Sequence, residues 1–513
     1  MIRKDFSPTA QNDKKGTTQN DKAHTCHTQA LPPCHTEPLG EVSNSTCHTE
    51  RSEVSHNTKS KRDFSHSLKM TKGKQLKMTT AYKPSGIEWL GEIPKHWEIC
   101  KLNKISYFIN GYAFESSHFD YSFSIPVIRI GDIQNDKIIY HTCLMTKEQE
   151  NLKNFMIYRG DIVIALSGAT TGKFAVCNSN KKAYINQRVA IIRSDIKILK
   201  YYLSTFGFVN YIDMLCNGSA QPNISTKEVG NFKIPLPPLQ EQKEIAEFLD
   251  KKCEKIQNYI NKKQKLITLL QEKKQALINE AVCGRVACHT ERSEVSTTAY
   301  KPSGIEWLGE IPQGWEIKKA KGIFKEVKRS VEDNDEIITC FRDGVVTLRK
   351  NRRTEGFTNS LKEIGYQGIR VNDLVIHSMD AFAGAIGVSD SNGKATPVYV
   401  VCVPRYDDLA DNKYYAYLLR NMANSGFILS LAKGIRERST EFKYNDFADL
   451  KIPLPPLQEQ KEIAEFLDSK VAQIDSAIEK TKKQIELVKE YKNTLINEAV
   501  CGRIACSRDF SPF

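Results

Sequence analysis

Three stretches of this chain occur twice at one fixed interval. TTAYKPSGIEWLGEIPKHWEI begins at Thr79 and TTAYKPSGIEWLGEIPQGWEI at Thr297. KIPLPPLQEQKEIAEFLDKK begins at Lys233 and KIPLPPLQEQKEIAEFLDSK at Lys451, while NEAVCGRVAC at Asn279 returns as NEAVCGRIAC at Asn497. Each pair is 218 residues apart, so the chain holds two gapless repeats, 79–288 and 297–506. Whatever one repeat folds into, the other must fold into as well. A chain of 513 residues also exceeds what one ordinary core supports, which agrees with at least two globular bodies.

Between the matched blocks the halves part company. Residues 100–232 and 318–450 are equally long but share little sequence. Both read as mixed α/β. IPVIRI (125–130), DIVIAL (161–166) and RVAIIR (188–193) are short β-rich runs broken by turn residues, and DLVIHS (373–378) and PVYVVCV (397–403) match them in the second half. Residues 413–434 carry a helical pattern instead. After each PLPP the pattern changes again. Proline forces an extended entry, and from Leu239 to Val282 there is neither Pro nor Gly. Ile256, Ile260, Lys263, Ile267, Leu270, Lys274 and Leu277 step by four and three, as do Ile474, Ile478, Thr481, Ile485, Val488, Lys492 and Leu495. That heptad spacing predicts a narrow apolar seam on a helix roughly 66 Å long. Two equivalent helices of this kind pair most simply with each other, antiparallel. The expected fold class is α/β (mixed α+β): two tandem globular domains, each followed by a long helix, with the helices forming an antiparallel coiled coil about a pseudo-two-fold.

Composition narrows the function. Lys and Arg number 74 against 61 Asp and Glu, a net charge of +13, which favours a polyanionic partner such as nucleic acid as well as solubility. No run of about 18 apolar residues suggests a membrane span, and the first residues lack a secretory apolar region. Fourteen cysteines without a dense framework suggest reduced thiols in a cytoplasm. Residues 1–77 are polar and turn-rich. CHTERSEVS at Cys47 recurs at Cys288, out of phase with the duplication, and RDFS occurs at Arg62 and Arg508. These segments are expected to be disordered copies of a dispersed repeat, with Met78 as an original start.

Motifs for catalysis or metal are weak. Cys26–His27, Cys34–His35 and Cys47–His48 lack the tight CxxC-type pairing of zinc sites, so no metal is expected. Cys283, Cys288, Cys501 and Cys506 are expected to be spectators at helix ends. SGATTGK (167–173) has three residues between its glycines and Phe174 after the lysine, unlike a P-loop. It suits a tight turn or a contact to a DNA phosphate about equally. No GxGxxG, HExxH, GxSxG or (Asp/Asn)-Pro-Pro-aromatic motif is present, so no reaction is assigned to the chain. The positive candidates for DNA contact are Arg129, Ser167, Thr171, Lys173, Gln187, Arg188, Ser219, Gln221 and Asn223 in the first half. In the second they are Arg342, Arg349, Lys350, Arg352, Arg353, Arg436 and Arg438. Arginine forks read guanine edges, whereas lysine mostly meets phosphate.

KPSGIEWLGEIPKHWE, RGDIVIALSGATTGK, SAQPNIS and IPLPPLQEQKEIAEFLD, in this order and duplicated, resemble the specificity (S) subunit of type I restriction-modification enzymes, over about 78–506. The resemblance implies a target-recognition domain at 78–238, a spacer helix at 239–283, a linker at 284–298, a second recognition domain at 299–456, a second spacer at 457–501 and a tail at 502–513. It implies a non-catalytic subunit that reads a bipartite double-stranded DNA site, with two methyltransferase (M) subunits and restriction (R) subunits as partners. S-adenosylmethionine, ATP and magnesium belong to those partners, and none to this chain. A stand-alone DNA-binding protein and, further off, a DNA adenine methyltransferase are the alternative readings. The second half departs from the pattern: RERSTEF (436–442) stands where the first has SAQPNIS.

Overall fold

The computed structural model describes residues 81–134, 136–217, 222–285, 299–352, 364–431 and 441–504. All of them lie in the second of the two units into which the chain divides, Met78–Phe513. The extension expected to be disordered, most of the linker and most of the tail lie outside the described residues, as do Cys288 and Cys506.

Both repeats build the same sheet from unlike sequences. In the first, the order is Phe174–Val176, Ile162–Ala165, Val189–Arg193, Tyr107–Asn110; in the second it is Ile386–Val388, Leu374–His377, Tyr399–Pro404, Phe324–Glu326. All neighbours in both sheets are antiparallel. The runs are continuously apolar because each sheet has a core on either face. Ile162, Ile164, Ala190 and Ile192 enter one core, and the alternate residues Val163, Ala165, Val189 and Ile191 enter the other. In the second repeat Leu374, Ile376, Val400 and Cys402 alternate in the same way with Val375 and Val401. Two-residue alternation then separates two apolar faces rather than core from solvent.

Of the helical stretch expected over 413–434, residues 432–434 lie outside the described residues and the rest falls in two helices, Asn412–Asn424 and Phe427–Leu431. Gly426, at φ +80°, breaks it where only glycine sits without strain. Asp411 caps the first of these by accepting from the Tyr414 amide at 2.9 Å. Helices at Leu199–Leu203 and Phe206–Cys216 in the first repeat had no expectation, because their aromatic run carries no clear 3.6-residue period.

The long helices run Leu239–Val282 and Leu457–Val500, 44 residues each. The prolines before them offer no N–H, and their carbonyls turn inward. Gln242 Nε2 donates to the Pro237 carbonyl at 2.7 Å and Gln460 Nε2 to the Pro455 carbonyl at 2.8 Å, so the PLPPLQEQ signal is a strand end tied to the first turn of a helix. The helices pack on one another antiparallel: Lys274, late in the first, bonds both oxygens of Asp475, early in the second, at 2.8 and 2.7 Å. Ile256, Ile260 and Ile485 bury together, flanked by Ile267, Val488 and Leu495. Ile478 is buried as well, while Leu270, Leu277 and Ile474 are half-buried. The seam therefore follows the heptad expectation most closely near the middle of the pair.

At their far ends the helices do something that pairing alone does not require. Ile496, Ala499, Val500 and Cys501 of the second helix complete the core of the first repeat, against Leu90, Trp97 and Tyr202. Ile278, Ala281, Val282 and Cys283 of the first helix do the same in the second repeat. Cys283 and Cys501 are thus core residues, and burial pushes both thiols up to about 11. Arg503 donates to the Leu90 carbonyl at 2.8 Å and Tyr82 to the Gly502 carbonyl at 2.9 Å. Arg285 and Tyr300 repeat the pattern on Leu308 and Gly284 at 2.7 and 3.0 Å. Gly502 has φ +69°, and a Cβ there would stand 2.6 Å from Pro94. Gly502→Ala is therefore expected to cost about 1–3 kcal/mol through strain and overpacking, read by urea unfolding. Hydrogen exchange should rise in Ile162–Ala165 of the first repeat, distant in sequence. A rise confined to the second repeat would contradict the cross-repeat closure.

Candidate nucleic-acid interface

One end of each four-stranded sheet collects the polar candidates. In the first repeat the strand Ile162–Ala165 ends at Leu166, which is clamped on both sides. Its amide donates to the Arg188 carbonyl and its carbonyl accepts from the Ile224 amide, both at 2.9 Å. The Ala165 amide donates to the Lys173 carbonyl at 2.9 Å, and Ser167 bridges Asn223. Lys173, Gln187, Arg188 and Asn223 are thereby brought to one strand end, and all four are exposed.

The same backbone pattern recurs in the second repeat with different side chains. Ser378 donates to the Val398 carbonyl, accepts from the Phe442 amide, and His377 donates to the Ala385 carbonyl, at 3.1, 2.9 and 3.0 Å. Ala385 and Val398 stand where the first repeat has Lys173 and Arg188. The basic charge arrives from another segment, the hairpin Ile338–Cys340 and Val346–Leu348. Arg342 beyond its first strand reaches the strand-end turn, donating to Asp380 at 2.8 Å. Its carbonyl would stand 2.8 Å from a Cβ at Gly384, which has φ +89°.

The candidates differ in how free they are. Arg352 donates bidentately to Asp343 at 2.9 and 2.7 Å and lies over the Phe341 ring. That fork holds the Asp343 carboxyl below the usual range. Lys350 pairs with Glu336, and Arg349 donates to Thr339 Oγ1 at 3.2 Å. Arg129 is committed to Asp132 and to the Thr142 carbonyl; its neighbour Ile130 approaches Gly168, so its segment still adjoins the strand end. Ser167 is buried, and Thr171 Oγ1 donates inward to the Gly168 carbonyl at 2.7 Å. The amides of Gly168, Thr171, Gly172 and Lys173 all bond within the fold. Those amides serve a tight turn, with Gly168 and Gly172 at φ +76° and +79°. Ser219, Gln221, Arg353, Arg436 and Arg438 lie outside the described residues.

The residues that hold the site were missed by the sequence reading. Asp343 and Asp380 orient the arginines, and Arg420 lies under the hairpin turn. A Cβ at Gly344, φ +86°, would stand 2.4 Å from Arg420 Nε, whose guanidinium is pushed down by burial. The Asp-Gly pair at 343–344 was the available turn signal. Nothing local marks Arg420, which sits inside an ordinary helical pattern. Other arginines are structural: Arg193 binds the buried Asp161 and Arg329 the buried Asp373 at equivalent strand starts. Asp343→Asn, at an exposed pair, should change stability by less than about 1 kcal/mol. Asp161→Ala and Asp373→Ala leave an arginine without its buried partner and should cost about 3 kcal/mol. Equal costs in urea unfolding would refute this division.

Among the described residues no group of His, Cys, Asp or Glu is placed to hold a metal ion, and no helix is long and apolar enough to cross a membrane. Nine described cysteines are free thiols.

Comparison with known proteins bears on both repeats. The family model for the type I restriction modification DNA specificity domain matches residues 94–271 and again 312–487. The chain is 23% identical over 441 residues to the type I restriction enzyme EcoBI specificity subunit of Escherichia coli, covering 82% of this chain and 88% of that one. It is 25% identical over 372 residues to the type I restriction enzyme MjaVIII specificity subunit of Methanocaldococcus jannaschii, covering 69% and 81%. A solved structure reported for the assembly and conformational transition of the type I R-M system shares the fold. Its TM-score is 0.56 at 16% identity, over 80% of this chain and 99% of that one.

Proposed function

Because the chain belongs to the family of type I restriction-modification DNA specificity subunits, carrying two such domains, we propose that it reads a split, asymmetric double-stranded DNA site. Each repeat reads one half through its sheet end, and the helix pair spaces the two. The observation that supports this best is one backbone pattern furnished with two side-chain sets. Lys173, Gln187, Arg188 and Asn223 gather in one repeat, and Arg342 with its hairpin neighbours in the other. Surfaces of different chemistry on one scaffold suit different half-sites.

The bases are read by side chains and the phosphates by cations. Lys173 and Arg188, which have no carboxylate partner among the described residues, suit phosphate contact without first breaking an ion pair. Arg342 and Arg352 are held by Asp380 and Asp343, which fix the guanidinium planes before DNA arrives and cut the ordering cost of binding. The carboxylates also set a charge that disfavours loosely placed phosphate. Methyl transfer from S-adenosylmethionine and ATP-driven cleavage belong to methyltransferase and restriction subunits docked on this chain, which itself makes and breaks no bond.

Co-expression with the methyltransferase subunit of the same system, followed by genome-wide mapping of methylated adenines, should give two unlike half-sites with a fixed gap, their centres about one helical turn, ~10.5 bp, apart. A contiguous motif would refute the reading. Lys173→Ala with Arg188→Ala should make the slope of log affinity against log salt shallower by about 1.8, measured by fluorescence anisotropy on the mapped site. An unchanged slope would remove these two cations from the phosphate contacts.

A further inference from the structure

The matched opening blocks differ at two neighbouring positions: Lys95-His96 in the first repeat is Gln313-Gly314 in the second. Both positions lie just before a tryptophan buried at the start of a long helix. In the first repeat Glu241 uses both carboxylate oxygens. Trp97 Nε1 donates to Oε2 at 2.9 Å, and His96 Nε2 lies 2.7 Å from Oε1. In the second repeat Trp315 Nε1 donates to Glu459 Oε2 at 3.0 Å, but Gly314 brings no imidazole. Among the described residues Glu459 Oε1 accepts no hydrogen bond. A cleft of about 490 Å³ opens there, between Gly314, Trp315, Pro456 and Glu459.

We propose that this cleft receives a planar cationic side chain, arginine or histidine, from the methyltransferase subunit docked on the second repeat, so that the two repeats offer inequivalent docking faces. The chain itself supplies the template, since the first repeat seats its own imidazole on the equivalent carboxylate. A guanidinium or imidazolium in the cleft would gain a charge-assisted hydrogen bond to Oε1 and packing of its apolar edge on the exposed Pro456 ring, with the buried Trp315 fixing the carboxylate through its Nε1. Gln313, where the first repeat has Lys95, leaves this face more negative than its counterpart, which favours the same occupant. Among the described residues nothing lies within 4 Å of a Cβ built on Gly314, whose φ is outside the left-handed region.

The inference rests on the proposed role as a scaffold for two methyltransferase subunits, and its test separates the two. Titration of the full chain with the methyltransferase subunit, followed by native mass spectrometry, should show the second-repeat copy bound more tightly than the first. Gly314→His, which fills the cleft, and Glu459→Gln should each weaken one copy about tenfold and spare the other. His96→Gly should tighten the other copy, and Glu241→Gln should leave the tighter step unchanged. Two copies of equal affinity, or a Gly314→His variant that binds as the parent does, would overturn the proposal. If no methyltransferase binds, the scaffold reading fails, and the cleft is read directly. The chain labelled with 5-fluorotryptophan gives one ¹⁹F signal for each of its four tryptophans, assigned by Trp→Phe variants. Methylguanidinium at roughly 100 mM should shift the Trp315 signal saturably in the parent and not in Glu459→Gln. A shift equal at Trp97 and Trp315, or none, would overturn the cleft itself.

Discussion

The last turn of each long helix closes the core of the opposite repeat, and everything else in the molecule is arranged around that contact. Ala281, Val282, Ala499 and Val500 are fully buried, each among residues of the other half. Neither sheet has a finished core without them. The helices therefore cannot slide freely on their shared seam, since a shift at the middle would draw an end out of a core. A seam of a few isoleucines is worth little uniqueness by itself; the docked ends fix its register. Lys274 and Asp475 add one ion pair across the helices, a minor term beside the buried apolar ends.

This closure supplies an intramolecular reason for the near-identity of the matched blocks. NEAVCGR of one half meets the IP-x-x-W turn of the other, through Gly284 against Pro312 and Gly502 against Pro94. The IPLPPLQEQ strand pairs with the strand after the tryptophan in its own half, Lys233 opposite Lys101 and Lys451 opposite Lys319. All three blocks converge at each of two junctions, so a change in one copy is felt by the block it abuts. The regions between them escape that constraint. They need only supply apolar residues in register to both faces of a four-stranded sheet, which many sequences do.

Much of the framework was legible in the chain. Both long helices begin and end where proline and glycine stop them, because loss of the N–H and a left-handed backbone are local properties. The five β-rich runs fall on the strands Ile125–Ile128, Ile162–Ala165, Val189–Arg193, Leu374–His377 and Tyr399–Pro404. The site was legible only as composition. Clustered arginines at 342–352 could be named, but their tethering could not, since Asp343 meets Arg352 only once the hairpin has folded back and Asp380 meets Arg342 only where that hairpin reaches a distant turn. Ser167 and Thr171 looked like ligands and face inward for the same reason, since the fold buries the Ser167 hydroxyl and brings the Gly168 carbonyl to Thr171.

The sequence by itself determined that there are two copies of one architecture, that each ends in a helix of fixed length, and that the helices share an apolar stripe. Repeat register, proline and heptad spacing are carried along the chain and need no tertiary contact to be read. Only the tertiary structure decided that each helix finishes the other repeat, that Cys283 and Cys501 are core rather than spectators, and that basic charge reaches the same sheet end by unrelated segments. It also decided that the exchange of His96 for Gly314 opens a cleft rather than changing a loop. Those outcomes depend on which surfaces meet across some two hundred residues of chain, and burial and hydrogen bonding are properties of the meeting surfaces, not of either segment alone.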